Sequence, residues 1–351
     1  MFLNFAPFDL AGRRSVLLAP NEFSTFGAKT AVCYLRYRAE DVVAVVDPAE
    51  KGKSVEDVLG FGGNIPVIPD MAAACRLGPE VAIVGVAPQG GRLTGELHGY
   101  LSTCASGGID IVSGLHDFVG DVPAIANAAA KSGAKIWDVR RVPSGQLVGD
   151  GVGSVARSVL TVGSDCNVGK MTATLEMYNE ARKRGVDASW AATGQTGMML
   201  RGRGIAVDRV VADFVSGAAE ALVQYEGKDA ELLFVEGQGS IIHPGYGGVT
   251  LGLMFGVMPD QMVIVHAASR DRIGESNHKM PSLPWLIDRY QESMKPLKEV
   301  PVVGVALNTA GFSTQAARGM IERTRAETGF PVTDPVRFGA GDIVDAVTAD
   351  A

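Results

Sequence analysis

Cysteine is scarce in this chain: four in 351 residues, Cys33, Cys75, Cys104 and Cys166, far apart and without a C-x-x-C pair. That spacing supports neither a zinc cluster nor a dense disulfide framework, and reduced thiols in a cytoplasm fit it best. Basic charge is also in short supply. With 32 Lys and Arg against 39 Asp and Glu, the net charge of −7 provides no broad positive field, so nucleic acid is set aside as a partner. No run reaches the eighteen or so apolar residues of a membrane span, and the N-terminus MFLNFAPFDLAGRR lacks the pattern of a secretory leader. No fixed-period repeat is visible, which argues against a solenoid or propeller.

What is present is an ordinary globular balance, 46% apolar and 20% charged, over a length that suggests two domains. Short β-branched runs alternate with helix-like stretches throughout, the pattern of parallel sheets covered by helices. Strands are expected at Ser15–Ala19, Val42–Val46, Val81–Ala87, Ile109–Gly114 and Lys135–Val139, with helices near Gly27–Tyr37, Ala72–Leu77, Gly91–Cys104 and Pro123–Ser132. This is a Rossmann-like layout. The glycine-rich stretch Pro143–Gly153 reads as the connection between domains, which places an N-terminal domain at 1–145 and a C-terminal one at 146–351. The second series has strands at Ser158–Val162, Ala188–Ala192, Leu232–Glu236, Met262–His266 and Val302–Leu307. Its helices are expected at Lys170–Arg184 and near Asp208–Gln224, Leu283–Tyr290 and Thr314–Thr328. The fold class is therefore α/β, two domains, each with a mainly parallel sheet flanked by helices.

The strongest local signal is VGSDCNVGKMTAT, in which an apolar strand runs into Gly163 and then into Gly169 and Lys170 at a helix start. Glycines let backbone N–H groups turn toward an anion, the helix N-terminus adds partial positive charge, and a lysine neutralises phosphate oxygens. A hydroxyl, Thr172 or Thr174, can hold Mg²⁺. The phosphate-binding candidates are thus Gly163, Asp165, Cys166, Asn167, Val168, Gly169, Lys170, Met171 and Thr172. Five residues rather than four separate Gly163 from Gly169, and Met171 stands between Lys170 and Thr172. The longer spacing resembles the loop of dethiobiotin synthetase and its relatives among the signal-recognition and nitrogenase-iron-protein branch of P-loop proteins; the displaced hydroxyl does not.

Downstream, LLFVEGQG is an apolar strand ending in Glu236, with Gln238 two residues on. Parallel sheets place ligands beyond the carboxyl ends of their strands, so both side chains are expected to face the crevice of the loop. Glu236 is a candidate base or Mg²⁺ ligand; a solvent-facing carboxylate is the plain alternative. The glycine-rich loop SIIHPGYGGVTLGL holds His243, the imidazole best placed for acid–base work, with a hydrogen-bonded structural histidine as the plain alternative, and His266 ends a strand of its own. Arg201 and Arg203 follow the sequence TGQTG and are candidates for pairing with carboxylate or phosphate. Asn308, at the end of VVGVALN, suits either a purine edge or loop capping. Asp213, in an apolar stretch read as helix, is expected to need a metal, ligand or partner. In the first domain, Pro20-NEFSTFGAKTA offers a weaker anion site at Gly27, Lys29 and Thr30.

Taken together, VGSDCNVGKMTAT, VEGQGSIIHPGYGGVTLGL and GVALNT resemble, over essentially the whole chain, a family long described as a domain of unknown function that includes the bacterial D-glutamate N-acetyltransferases. The resemblance implies an N-terminal Rossmann-like domain, a C-terminal P-loop NTPase-like domain, and transfer of an acetyl group from acetyl-CoA to the amine of D-glutamate in D-amino-acid catabolism. Under it the phosphate loop would cradle coenzyme A. Arg201, Arg203 and Lys170 would anchor carboxylates, Gln238 would touch substrate, and Glu236 or His243 would be the base. No metal ligand set is expected. The rival expectation is a Mg-ATP-dependent ligase or small-molecule kinase of the dethiobiotin-synthetase type; a nucleotide-binding regulator or metallochaperone is a third. A homo-oligomer, a dimer by base rate, is expected.

Overall fold

A computed structural model describes residues 8–25, 27–145, 148–274 and 276–349. Phe26 of the weaker anion segment and Gln146 and Leu147 of the predicted connection lie outside the described residues. The chain forms two compact bodies. One comprises Ala6–Val142 with Gln195–Ala206, the other Pro143–Gly194 with Val207–Ala351.

The first body is built on β1 (Ser15–Leu18), β2 (Val42–Val46), β3 (Val67–Ile68), β4 (Val81–Val84), β5 (Asp110–Ser113) and β6 (Ile136–Asp138), all parallel, in the order β3-β2-β1-β4-β5-β6. That is the strand order of dinucleotide-binding sheets. Its helices are α1 (Lys29–Arg38), α2 (Val55–Leu59), α3 (Met71–Cys75), α4 (Gly95–Ser106) and α5 (Pro123–Ser132). SVLL of β1 and VAIV of β4 are buried at every position, as strands covered on both faces must be. Local chemistry sets the helix ends. Ser54 and Asp57 form a reciprocal capping box on α2, and α5 begins at Pro123 and stops at left-handed Gly133. Helix α4 begins at Gly95 rather than Gly91, because Thr94 caps it and Gly91 is held in a turn at φ 62°.

In the second body the chain runs through β7 (Arg157–Gly163), α6 (Lys170–Lys183) and β8 (Ala188–Ala191). Helix α7 (Gln195–Arg201) then belongs to the first body, where Arg140 donates to Gln195 at 2.7 Å and Phe8 N–H donates to the Gly202 carbonyl at 2.8 Å. The second body continues with α8 (Val215–Gly227), β9 (Leu232–Val235), α9 (Gly247–Val257), β10 (Gln261–Ala267), α10 (Leu283–Met294), β11 (Val302–Asn308), α11 (Thr314–Thr328), β12 (Val332–Thr333), α12 (Pro335–Phe338) and α13 (Gly341–Thr348). Its sheet is again six parallel strands, ordered β12-β11-β10-β7-β9-β8, with β7 flanked by β9 and β10.

Three expectations are corrected. The helix expected from Asp208 begins at Val215, preceded by short 3₁₀ turns at Val207–Arg209 and Ala212–Phe214. Asp213 sits in the second of these turns, exposed, so no burial cost demands a metal or partner. The glycine-rich segment after His243 is not all loop. It enters α9 at Gly247, and its glycines serve packing: a Cβ on Gly256 would lie 2.1 Å from the Ser216 carbonyl oxygen, and one on Gly252 2.7 Å from Val215 Cγ1. Glycine there lets α8 and α9 approach closely.

Part of the connection at Pro143–Gly153 is anchored. Backbone N–H groups of Asp150 and Val152 each donate to buried Glu220 at 2.7 Å.

Candidate functional site

The carboxyl ends of β7, β9, β10 and β11 carry most of the candidate residues of the second body. After β7 the chain makes a tight turn in which Asn167 (φ 57°) and Gly169 (φ 108°) take left-handed conformations on either side of Val168. Alternation of this kind turns successive N–H groups to one side, at the start of the fourteen-residue helix α6. Gly163 is favoured by close approach, since a Cβ there would lie 2.9 Å from the Asp165 carbonyl oxygen and 2.7 Å from Lys170 Nζ. Lys170 is buried and donates to the Asp165 carbonyl at 2.8 Å. Burial pulls its ammonium down to about 8, opposed by the nearby Cys166, Asp165 and Glu236.

Glu236 follows β9 directly and is also buried. Its Oε2 accepts from the N–H groups of Thr193 (3.0 Å) and Gly194 (3.2 Å), and its Oε1 accepts from Gln238 Nε2 at 3.1 Å. Desolvation nevertheless pushes the carboxyl up to about 7, against those hydrogen bonds and the Lys170 charge. A carboxyl pushed to about 7 and an ammonium pulled to about 8 thus share one buried patch. Only glycine fits at Gly237, where a Cβ would lie 1.6 Å from the Thr161 carbonyl oxygen, and one on Gly194 would displace Gln238, whose Nε2 would be 2.6 Å away.

Asp165 is fully buried. Its Oδ1 accepts from Cys166 N–H at 2.7 Å, and its Oδ2 accepts from Gly274 N–H at 2.6 Å with Arg270 Nε 3.5 Å away. One ring nitrogen of His243, the Cys166 thiol and an Asp165 oxygen lie within 4.8 Å of one another. His243 is half-buried, stacks on Tyr246 at 4.6 Å between ring centroids, and accepts from Gly245 N–H at Nδ1. His266 bonds to Ser164 Oγ through Nδ1 at 2.8 Å; burial and the Arg270 charge pull it down to about 4, so it is neutral at physiological pH.

The remaining candidates divide. Asn308 donates to the Val168 carbonyl at 3.2 Å and accepts from Ala310 N–H at 3.0 Å, so its amide braces the turn. Met171 and Thr172 are half-buried on the first turn of α6. Thr174 bonds to the Lys170 carbonyl (2.9 Å) and to Thr161 Oγ1 (2.9 Å), a structural use of its hydroxyl. Arg201 and Arg203 belong to the first body, half-buried at and just beyond the end of α7. In the first body the carboxylate that closes β2, Asp47, is spent on the N–H groups of Asn21, Phe23 and Ala49. That is the position from which dinucleotide-binding sheets reach a ribose.

Residues that sequence reading missed are those brought in from afar. Tyr290, on α10, donates to the Gly163 carbonyl at 2.7 Å and accepts from Ile241 N–H at 3.2 Å, tying the loop to the segment after Glu236. Thr161 accepts from Gly237 N–H at 2.9 Å. Arg270 and Gly274 reach Asp165 from the loop after β10. No local signal marks a tyrosine in a helix as the brace of a strand end more than a hundred residues away.

A parallel sheet whose central strand runs through a tight turn with two left-handed residues into a helix, with a buried lysine and a buried acid at its carboxyl edge, defines a P-loop α/β protein, joined here to a second parallel α/β body. Family comparison agrees. Residues 146–344 match the P-loop domain and 48–142 the Rossmann-like domain of the family DUF1611, a domain of unknown function, and the chain belongs to that family.

Two curated relatives, both named D-glutamate N-acetyltransferase, are 35% identical to it. The protein from Tritonibacter scottomollicae aligns over 83% of this chain and 88% of its own, that from a Pseudoalteromonas species over 77% and 82%. A crystal structure of a DUF1611 protein from Anabaena variabilis superposes with a TM-score of 0.92 at 38% identity, covering 96% of this chain and 99% of that one.

Proposed function

We propose that this chain transfers an acetyl group from acetyl-CoA to the amino group of D-glutamate. The names of its two relatives support the reaction, and one observation supports its placement at the second body: Glu236, poised near pH 7 beside Lys170. An ammonium must lose a proton before it can attack a thioester, and a base is most effective when its pKa lies near the working pH. Glu236 takes that proton. Gln238, half-buried and bonded to both Glu236 and Thr193, orients the base.

The turn at Asn167–Lys170 receives an anionic group, for which coenzyme A offers phosphates and D-glutamate offers carboxylates. Arg201 and Arg203 are the further candidates for anchoring carboxylates. Expected partners are small molecules alone, in a cytoplasmic homo-oligomer.

The test supplies acetyl-CoA or Mg-ATP to the purified chain with D-glutamate and with other amino acids, following thiol release and nucleotide hydrolysis. Thiol release dependent on D-glutamate is expected. Its absence with every amino acid tried, or hydrolysis of ATP coupled to consumption of the amino acid, would overturn the reading in favour of a Mg-ATP-dependent ligase or kinase.

A further inference from the structure

Cys166 stands at the head of the loop, half-buried, between the fully buried Asp165 and the exposed, left-handed Asn167. Its thiol lies within 4.8 Å of a ring nitrogen of His243 and of an Asp165 oxygen. Asp165 organises the pair. One oxygen takes the N–H of Cys166 itself; the other takes the N–H of Gly274, which packs so closely on His243 that a Cβ there would lie 2.8 Å from Nε2. Because His243 Nδ1 accepts a hydrogen bond from Gly245, the neutral ring carries its proton on Nε2 and presents a donor there. Lys170, bonded through Nζ to the Asp165 carbonyl one residue before Cys166, brings positive charge to the same turn. A half-buried cysteine with an imidazole nitrogen and a lysine nearby is a setting that favours a nucleophilic thiolate, opposed here by the Asp165 carboxylate, whose charge is taken up by Cys166 N–H, Gly274 N–H and Arg270.

Three such side chains can also ligate a metal ion. Here both Asp165 oxygens already accept hydrogen bonds and a guanidinium stands 3.5 Å away, which opposes a cation.

We infer that Cys166 carries the acetyl group between donor and acceptor as a thioester on the enzyme, an inference that rests on the acetyltransferase reading above. In the first step Cys166 Sγ attacks the carbonyl carbon of acetyl-CoA; the new S–C bond forms, the C–S bond to coenzyme A breaks, and coenzyme A leaves as a thiolate that takes a proton from solvent. In the second, the amine of D-glutamate, having given a proton to Glu236, attacks the acetyl-Cys166 carbonyl. The amide C–N bond forms, the amine's second proton goes to solvent, and Cys166 thiolate departs. The thioester must then reach the loop, so the diphosphate of coenzyme A, at the far end of the pantetheine arm, binds away from Asn167–Lys170. That turn takes a carboxylate of the acceptor.

The deciding measurement uses the full chain without D-glutamate: exchange of labelled coenzyme A into acetyl-CoA, with peptide mapping of acid-quenched protein. Exchange is expected in the native protein, with hydroxylamine-labile acetyl on the peptide holding Cys166 whenever the adduct accumulates. Cys166→Ala and Cys166→Ser, checked for fold by circular dichroism, should lose exchange and about 100-fold or more of the turnover. Absence of exchange in a native protein that turns over D-glutamate, or a Cys166→Ala variant within about threefold of native turnover, overturns the covalent step. Failure of the native protein to release thiol with D-glutamate sinks the acetyltransferase reading itself, so the two failures are separable.

Discussion

Glu236 shows how a single residue acquires its chemistry from its surroundings. The same carboxyl in water would be fully ionised at neutral pH; burial at the end of β9 pushes it up to about 7 despite three hydrogen bonds. Glu236→Gln keeps the shape and removes the titrating carboxyl, the base of the proposed reaction. Its kcat is expected to fall by about 10²- to 10⁴-fold, and the acid limb of kcat/KM near pH 7 to disappear. An unaltered pH profile in the variant would reassign the role. Gly237 is constrained as tightly in space: Gly237→Ala drives a methyl into the Thr161 carbonyl at 1.6 Å, and melting should show a loss of at least about 1–3 kcal/mol. Glu236 and Lys170 could be singled out in the sequence because each sits at a strand or helix end with glycine beside it. Tyr290 and Arg270 could not, because what makes them matter is a partner far along the chain.

At the scale of elements, α8 and α9 carry a prediction in which two effects of one substitution oppose each other. Alanine is the better helix former by about 1 kcal/mol, yet Gly256→Ala places its methyl 2.1 Å from a backbone carbonyl of α8, which cannot move aside alone. The clash should win, and the variant should melt earlier. Gly248→Ala, with no atom within 4 Å of the added carbon, should gain stability by up to about 1 kcal/mol. Equal shifts in the two would show that α8 and α9 are not in close contact at Gly256. A run of glycines reads as loop by propensity, whereas here tertiary contact selects glycine inside a helix. The 3₁₀ turns before Val215 escaped notice for a related reason, since VVADFVSGA is apolar enough to look helical throughout.

For the whole molecule, the buried acid and ammonium shape stability against pH. Glu236 has an ordinary value of 4.5 and sits at about 7 when folded, so between those values the unfolded chain has released a proton that the folded chain keeps. Its contribution is present below about 4.5 and lost as pH rises through 7. Lys170 runs the other way: it falls from 10.5 to about 8, so stability returns as pH climbs from 8 toward 10.5. Each limb is on the order of 3 kcal/mol. Thermal unfolding across this range should show a minimum between about pH 7 and 8, and Glu236→Gln should flatten the acidic limb. A monotonic curve through neutrality in the native protein would refute the burial of the pair.

The sequence by itself determined the alternation of strands and helices, the position of the tight turn after β7 and the acid that follows β9, because these depend on periodicity and on residues close together in the chain. Tertiary structure alone decided that α7 joins the first body, that Asp165 binds Cys166 and Gly274 at once, and that Glu236 and Lys170 share a desolvated patch. Those outcomes turn on burial and on contacts between distant segments, and the free energy of a charge depends on the dielectric around it, which exists only once the chain has packed.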